Sequence, residues 1–289
     1  MTRHRWIIAS TKKDQGLGNR VRVVLGARVL ARATGRDFAY VWPVGQHFGA
    51  RLDELWQIRG HRVPASVSRL LALRYPYRDH RLTWIDGRTR EDRIWQIRTD
   101  HELLLSEEAP SWAQELRDLR PTGPIQDAVR GFHAQHLAGS PYLGVMVRAH
   151  LRSHPATLAA SPLEWFVDRL RTIRLRHPEL AFFLSADTQL AVRHIGSAVS
   201  GCVSLPDKGQ YNSREGLRAA VADLYLLAGS AHLIGPHYSS FPELAQKLAG
   251  DDLRLETSRT PASKVLESGP LTQAVDPVLP HVRRAVALR

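Results

Sequence analysis

Four short stretches carry residue types suited to holding an anion or moving a proton. The first is Gly16-Leu17-Gly18-Asn19-Arg20. Glycines between a strand and a helix let backbone N–H groups approach an anion closely, and the helix dipole adds favourable charge. The run lacks the Gly-Lys-Ser/Thr of a Walker loop, and Val21 stands where a dinucleotide fingerprint has its third glycine. A tight structural turn accounts for Gly16 and Gly18 equally well. The second stretch is Gly144-Val145-Met146-Val147-Arg148-Ala149-His150, an apolar run ending in an arginine. Ligands of open α/β sheets gather at the carboxyl ends of strands, and a planar guanidinium can take two phosphate oxygens at once. A solvated arginine is the alternative.

The third stretch, Phe183-Leu184-Ser185-Ala186-Asp187-Thr188, puts Asp187 just past an apolar run. There it can accept from a ribose or base, or cap the next helix. The fourth, Gly235-Pro236-His237-Tyr238-Ser239-Ser240-Phe241, brings two hydroxyls to a helix start. Such a start suits an anion or a base edge, and Ser239 or Ser240 as a plain N-cap explains it too. Among bases, His150 and His154 are the titratable groups nearest Arg148, although in a chain with 14 histidines any single one is more commonly structural. The single cysteine, Cys202, rules out an internal disulfide and a multi-cysteine zinc site. No H-x-x-x-H or D-x-D pair stands in a ligating setting, so no metal is expected; Asp251-Asp252 is late and reads as solvated.

These residues need elements to position them. Trp6–Ser10 reads as a buried strand, a loop runs from Thr11 to Gly18, and Asn19–Ala33 has helical spacing, with Gly35 as its stop. Phe38–Trp42 is the next strand, which makes a βαβ unit with a parallel sheet. Between 44 and 110 only short β-like runs, 82–85 and 94–97, are legible. Helices follow near 111–119 and 124–137, and the Ala138-Gly139-Ser140-Pro141 turn suggests a boundary. The second half alternates: strands at 142–147, 180–184, 202–205, 232–234 and 253–255, helices at 162–176, 188–197, 214–228 and 241–248. That is a second Rossmann-like domain, and the tail from Pro261 is expected to end in a helix over 282–288. The expected domains are thus 1–138, 139–260 and a tail, 261–289. Two such domains with a cleft between them suit a bridging ligand.

The order and spacing of the four stretches resemble the fucosyltransferase superfamily of nodulation fucosyltransferases, core α-1,6-fucosyltransferases and protein O-fucosyltransferases. The likeness rests on Gly16-Leu17-Gly18-Asn19-Arg20 and Gly144–Arg148, extended by Phe183–Asp187 and by the run Leu217–Phe241. It spans roughly 5–250 and is weakest over 44–110. It implies an α/β, GT-B-like fold and an inverting, metal-independent transferase using GDP-fucose or a related nucleotide sugar, with no cofactor. By the same resemblance Arg148 holds the donor diphosphate, Asp187 faces the guanine or ribose, and Ser239, Ser240 and Phe241 line the nucleotide pocket. Gly16, Gly18, Asn19 and Arg20 close over the diphosphate from the first domain. The family pattern His-x-Arg-Arg is altered here: Met146 replaces the histidine and Ala149 the second arginine, and Arg152 is the residue that would complete the clamp. His150 is the candidate base beside Arg148. The acceptor is a hydroxyl of a glycan, glycolipid or small molecule, bound by loops within 44–110.

Lys+Arg total 40 against Asp+Glu 28 in 289 residues, a net charge of +12, which favours an anionic partner. Only five of the basic residues are lysines, so part of the excess reflects composition bias. Basic residues are spread along the chain and aromatics make up 7%, with no stacking pattern, so stable nucleic-acid binding is not expected, although the basic surface suits peripheral contact with a membrane. The first ten residues are too short an apolar run for a signal peptide, and no stretch approaches a membrane span, so a cytoplasmic location is expected. A non-catalytic nucleotide- or glycan-binding descendant of the same fold is the competing reading, which the altered His and Arg positions permit.

Overall fold

The structure is a computed structural model and describes residues 4–106, 108–150, 153–261, 266 and 271–287. The chain forms two compact units, Met1–Arg120 with Asn212–Leu217, and Pro121–Tyr211 with Arg218–Arg289. The division falls before the turn at 138–141, and the helix that precedes this turn counts with the second unit.

In the first unit the elements run β1 (Trp6–Ser10), α1 (Leu17–Ala33), β2 (Asp37–Val41), β3 (His61–Arg62), α2 (Ala65–Leu71), β4 (Tyr77–Arg78), β5 (Ile94–Ile97) and α3 (Trp112–Asp118). The strands form one parallel sheet in the order β3-β2-β1-β5-β4. The central strand, β1, is apolar at every buried position except Ser10, as a sheet covered on both faces requires. α1 buries Val21, Val23, Val24, Leu25, Ala27, Val29 and Leu30, too many faces for a simple amphipathic stripe. Its outer side is tied to α3, where the buried Glu115 pairs with Arg28 and Arg32.

The run 82–85, expected as a strand, is a turn. Leu82 has a left-handed φ of 62°, and the Ile85 amide closes on the Leu82 carbonyl at 3.0 Å. Aspartates decide this: Asp79 accepts from the Arg81 amide, and Asp86 from the amides of Arg88 and Thr89. Such local bonds offer the backbone an alternative to a sheet ladder.

The second unit runs α4 (Gly123–His136), β6 (Tyr142–Val147), α5 (Pro155–Ala160), α6 (Leu163–Arg176), β7 (Ala181–Ala186), α7 (Gln189–Ala198), β8 (Cys202–Val203), α8 (Arg214–Gly229), β9 (His232–Ile234), α9 (Ser240–Ala249), β10 (Leu255–Glu256), β11 (Leu271–Ala274) and β12 (Arg283–Val286). The first turn of α8 counts with the first unit. The parallel order is β10-β9-β6-β7-β8, and β6 is buried along its whole length. Leu143, Val145 and Val147 of β6, Phe182 and Leu184 of β7, and Phe166 and Leu170 of α6 make its core.

Where a helix was expected over 282–288, the described residues form a strand, and Leu288 lies outside the described residues. β12 pairs antiparallel with β11, from Leu271↔Val286 to Ala274↔Arg283. One side chain fixes this: the Arg283 guanidinium donates to the carbonyls of Ala228, Ser230, Thr272 and Pro280. A cation on the last carbonyls of α8 satisfies groups that a helix end leaves open. Among the described residues no helix is long and apolar enough to cross a membrane.

Candidate functional site

The strand order reverses at β6. From β6 the chain moves outward through β7 and β8, then returns to the other side for β9 and β10. The loops after β6 and β9 therefore part at the carboxyl edge of the sheet, the place where open α/β sheets bind ligands. Arg148 is the first residue after β6, and Ser239 is the N-cap of α9, the helix after β9.

Arg148 does not stand alone. Its Nη1 lies 3.3 Å from Oδ2 of Asp187, whose side chain is 6% exposed. Oδ1 of Asp187 accepts the backbone N–H of Ala149 at 2.8 Å and that of His150 at 3.1 Å, while Ser153 Oγ donates to Oδ2 at 3.4 Å. Among the described residues every one of these donors comes from the loop after β6, so Asp187 shapes the loop that carries Arg148. It does not cap α7; Thr188 does, accepting from the Ala191 amide at 3.2 Å. The His150 ring stacks on Tyr211 at 4.4 Å, whereas His154 caps α5 through Nδ1. Arg152 lies outside the described residues.

The opposing loop is braced to the first. Thr157 of α5 donates to the Tyr238 carbonyl at 3.1 Å, and Ser161 accepts the His237 amide at 2.9 Å. At Gly235 a Cβ would lie 2.8 Å from Pro242, so only glycine allows the chain to turn so close to α9. Tyr238 has a left-handed φ of 60° while 61% exposed. An aromatic residue in that region stores strain, of the kind that clusters at ligand-binding sites. Ser239 holds the N-cap position, yet its hydroxyl makes no cap hydrogen bond. Among the described residues the hydroxyls of Ser239 and Ser240 have no protein partner, beside a buried Phe241. The amides and hydroxyls at the start of α9 are thus open to an acceptor such as a phosphate oxygen.

A second polar group under the same sheet edge was not legible in the sequence. Asp223 of α8 is buried; its Oδ2 accepts from Ser185 of β7 at 2.8 Å and from Lys208 Nζ at 2.6 Å. Its Oδ1 has no partner among the described residues. Burial pushes this carboxyl up, against the pull of Lys208 and Ser185. Partners 15 and 38 residues away leave no spacing signal.

In the first unit α1 begins at Leu17, so Gly18 and Asn19 lie in its first turn. Gly16 is an N-cap without a side chain, no acid occupies the first turn, and the half-buried Asn19 amide has no partner among the described residues. Arg20, expected at the donor, is committed elsewhere. It is fully buried, donates to the carbonyls of Gln15, Pro43 and Lys13 at 2.9, 2.7 and 3.0 Å, and lies 3.9 Å over the Phe48 ring. Burial lowers its pKa to about 10, which leaves it charged at neutral pH. Arg98, the first residue after β5, was not singled out from the sequence; it sits 3.3 Å over Tyr77 and donates to Ser10. Among the described residues no three His, Cys, Asp or Glu side chains converge, and burial raises the Cys202 thiol to about 11.

Two Rossmann-like parallel sheets, one with a braced arginine at its switch point, define a doubly wound α/β chain. No family model and no curated protein matches the sequence. Solved structures do match. NodZ α-1,6-fucosyltransferase with GDP is 20% identical, at a TM-score of 0.59 over 84% of this chain and 92% of that one; a NodZ structure from Bradyrhizobium gives 20% and 0.56, over 84% and 93%. A variant of Arabidopsis thaliana FUT1 with GDP is 14% identical, at 0.58 over 94% and 74%. POFUT1 with GDP is 12% identical, at 0.56 over 89% and 99%. The chain has the fold of these fucosyltransferases, as the resemblance in its sequence implied.

Proposed function

We propose that the chain is an inverting glycosyltransferase that moves fucose from GDP-fucose to an acceptor hydroxyl without a metal ion. The observation that carries the reading is Arg148, fixed at the β6 switch point by Asp187, at the same carboxyl edge of the sheet from which the chain leads into α9 with its open hydroxyls and amides. The same fold is seen in NodZ soaked with GDP-fucose and in POFUT1 with GDP-fucose.

In this reading the acceptor oxygen forms a bond to the anomeric carbon from the face opposite the nucleotide, and the bond to the β-phosphate oxygen breaks with its electron pair. Negative charge grows on that phosphate as GDP leaves. A fixed guanidinium and the α9 amides stabilise the growing charge without reorganising. The acceptor proton goes to a base, for which His150, carried on the same loop as Arg148, is proposed. The altered Met146 and Ala149 positions favour testing binding and turnover separately, because a binding-only descendant keeps the first and lacks the second.

The test is nucleotide-dependent stabilisation followed by turnover. GDP at 100 times its dissociation constant adds about 2.7 kcal/mol to stability, and UDP is expected to add far less. Arg148→Ala is expected to lose roughly 2–4 kcal/mol of transition-state stabilisation, a thirtyfold to thousandfold fall in rate. Arg148→Lys recovers little, since an ammonium cannot bridge two phosphate oxygens. A folded Arg148→Ala protein with unchanged GDP affinity and turnover overturns the assignment. Loss of turnover in EDTA with recovery in Mn²⁺ overturns its metal-free part.

A further inference from the structure

Between α4 and α8, on a face of the second sheet, lies a cavity of about 420 Å³ that shares no lining residue with the switch-point site. This volume lies within the range of small-molecule sites, roughly 300–1,000 Å³. Its walls are mostly apolar: Ile125 and Phe132 from α4, Leu205 and Pro206 after β8, Ala219 and Ala222 from α8, with the exposed Gln135 and His136 of α4 also in the lining. The two alanines leave the room that a larger residue on α8 would fill.

One group in this wall is out of keeping. Arg218 lines the cavity, half-buried, with its Nε removed from solvent and without an acceptor. Among the described residues its guanidinium makes no ion pair. Asp207 also lines the cavity, but it is exposed and water serves it. Other partly buried cations of this unit have partners: Arg169 has Glu256, Lys208 has Asp223, Arg283 has four carbonyls, and Arg174, whose Nε is likewise orphaned, donates through its other nitrogens to the carbonyls of His177, Pro178 and Ser200. A desolvated N–H without an acceptor is a cost that native structures avoid, and a planar fork suits a carboxylate. Charge complementarity therefore selects an anionic head at Arg218, and the apolar walls select a hydrocarbon body.

We propose that this cavity binds a single-chain fatty carboxylate, with its chain between α4 and α8 and its carboxylate on Arg218. The proposal does not depend on the transferase reading, and either can fail alone.

The test uses the full chain and decanoate, held below its micellar range, in calorimetric titration. Decanoate is expected to bind at least tenfold tighter than decanol, and decyltrimethylammonium not at all. Arg218→Met, which keeps the apolar wall, is expected to abolish the preference for decanoate over decanol. Ala222→Phe is expected to remove binding of both; if it fails to fold, Ala128→Trp, at an exposed position in the lining, blocks the same space. GDP affinity is expected to be unchanged in all three variants. The proposal is overturned if the wild-type chain does not bind decanoate, or if decanol or decyl phosphate binds tighter than decanoate. It is also overturned if the preference survives in Arg218→Met, or if binding survives in the filled variants.

Discussion

Asp187 holds Arg148 in two ways: its Oδ2 lies 3.3 Å from the guanidinium, and its Oδ1 takes the amide of the next residue, Ala149, at 2.8 Å. The aspartate at the end of β7 thus sets both the side chain and the backbone of the residue at the end of β6. Asp187→Asn keeps an acceptor for the two amides and removes the charge facing Arg148. It is expected to leave the fold intact and to weaken GDP binding by about 1–2 kcal/mol, roughly five- to thirtyfold. In a double-mutant cycle with Arg148→Ala the two losses are expected not to add, with a coupling of roughly 0.5–3 kcal/mol. Additive losses would detach the two residues.

Ser239 separates a cap from a ligand. Replacing an N-cap serine by alanine ordinarily costs about 1 kcal/mol of stability. Here the hydroxyl makes no cap bond, so Ser239→Ala is expected to shift the urea midpoint by less than the equivalent of about 0.5 kcal/mol while lowering GDP affinity. A full capping loss with unchanged affinity would return the residue to the fold.

Arg20 is predicted to do the opposite. Its guanidinium satisfies three carbonyls of the loops after β1 and β2. Arg20→Met leaves those carbonyls without their donor and is expected to cost roughly 3 kcal/mol, read from denaturant unfolding. Lysine, with one compact ammonium, is expected to rescue little of it. A variant as stable as the parent would contradict this role.

Acid lability follows from three groups. Burial would raise Glu256, but hydrogen bonds from His232 and Arg169 outweigh it and hold the carboxyl below its ordinary 4.5. Asp276 is held below 3.8 in the same way, chiefly by Arg130. Burial depresses His133 below 6.5. In each case the unfolded chain takes up the proton first as pH falls. Stability is therefore expected to decline from about pH 6.5 through His133, then more steeply from about 4.5 through the carboxylates. Glu256→Gln should cost roughly 3–5 kcal/mol at neutral pH, by leaving the largely buried Arg169 without its charge partner, and should flatten the lower part of the profile. Urea midpoints between pH 7 and pH 3 check both, and an unchanged lower slope would count against Glu256.

Strands β1, β5, β6 and β9 were legible because buried parallel strands read as short continuous apolar runs bounded by turn residues. The edge strands β3 and β4, two residues each, are too short for any period to register. β12 read as a helix because Arg-Ala-Val-Ala has good local helix propensity, and the decision belongs to Arg283 and its distant carbonyls. Of the candidate site, the positions of Arg148 just past β6 and Ser239 at the start of α9 were legible, because apolar runs and turn residues mark strand and helix ends. The structural role of Arg20 was not, since it depends on the carbonyls of Lys13, Gln15 and Pro43 all turning inward. Asp223 was hidden inside the apolar face of α8, and Arg98 among the many arginines of the first half.

The bonds of Arg283 also bear on how the second unit is completed during synthesis. The amide of Tyr142, at the start of β6, is received by Gln273, 131 residues later, and the carbonyls of Ala228 and Ser230 are received by Arg283. A nascent chain that has emerged as far as residue 260 already contains all five parallel strands of this sheet, with those groups still unmatched. Folding that proceeds from the N-terminus as the chain emerges can thus close this unit only after Arg283 has emerged. A premature stop at residue 280 would spare every strand of that sheet and still leave it without its clasp.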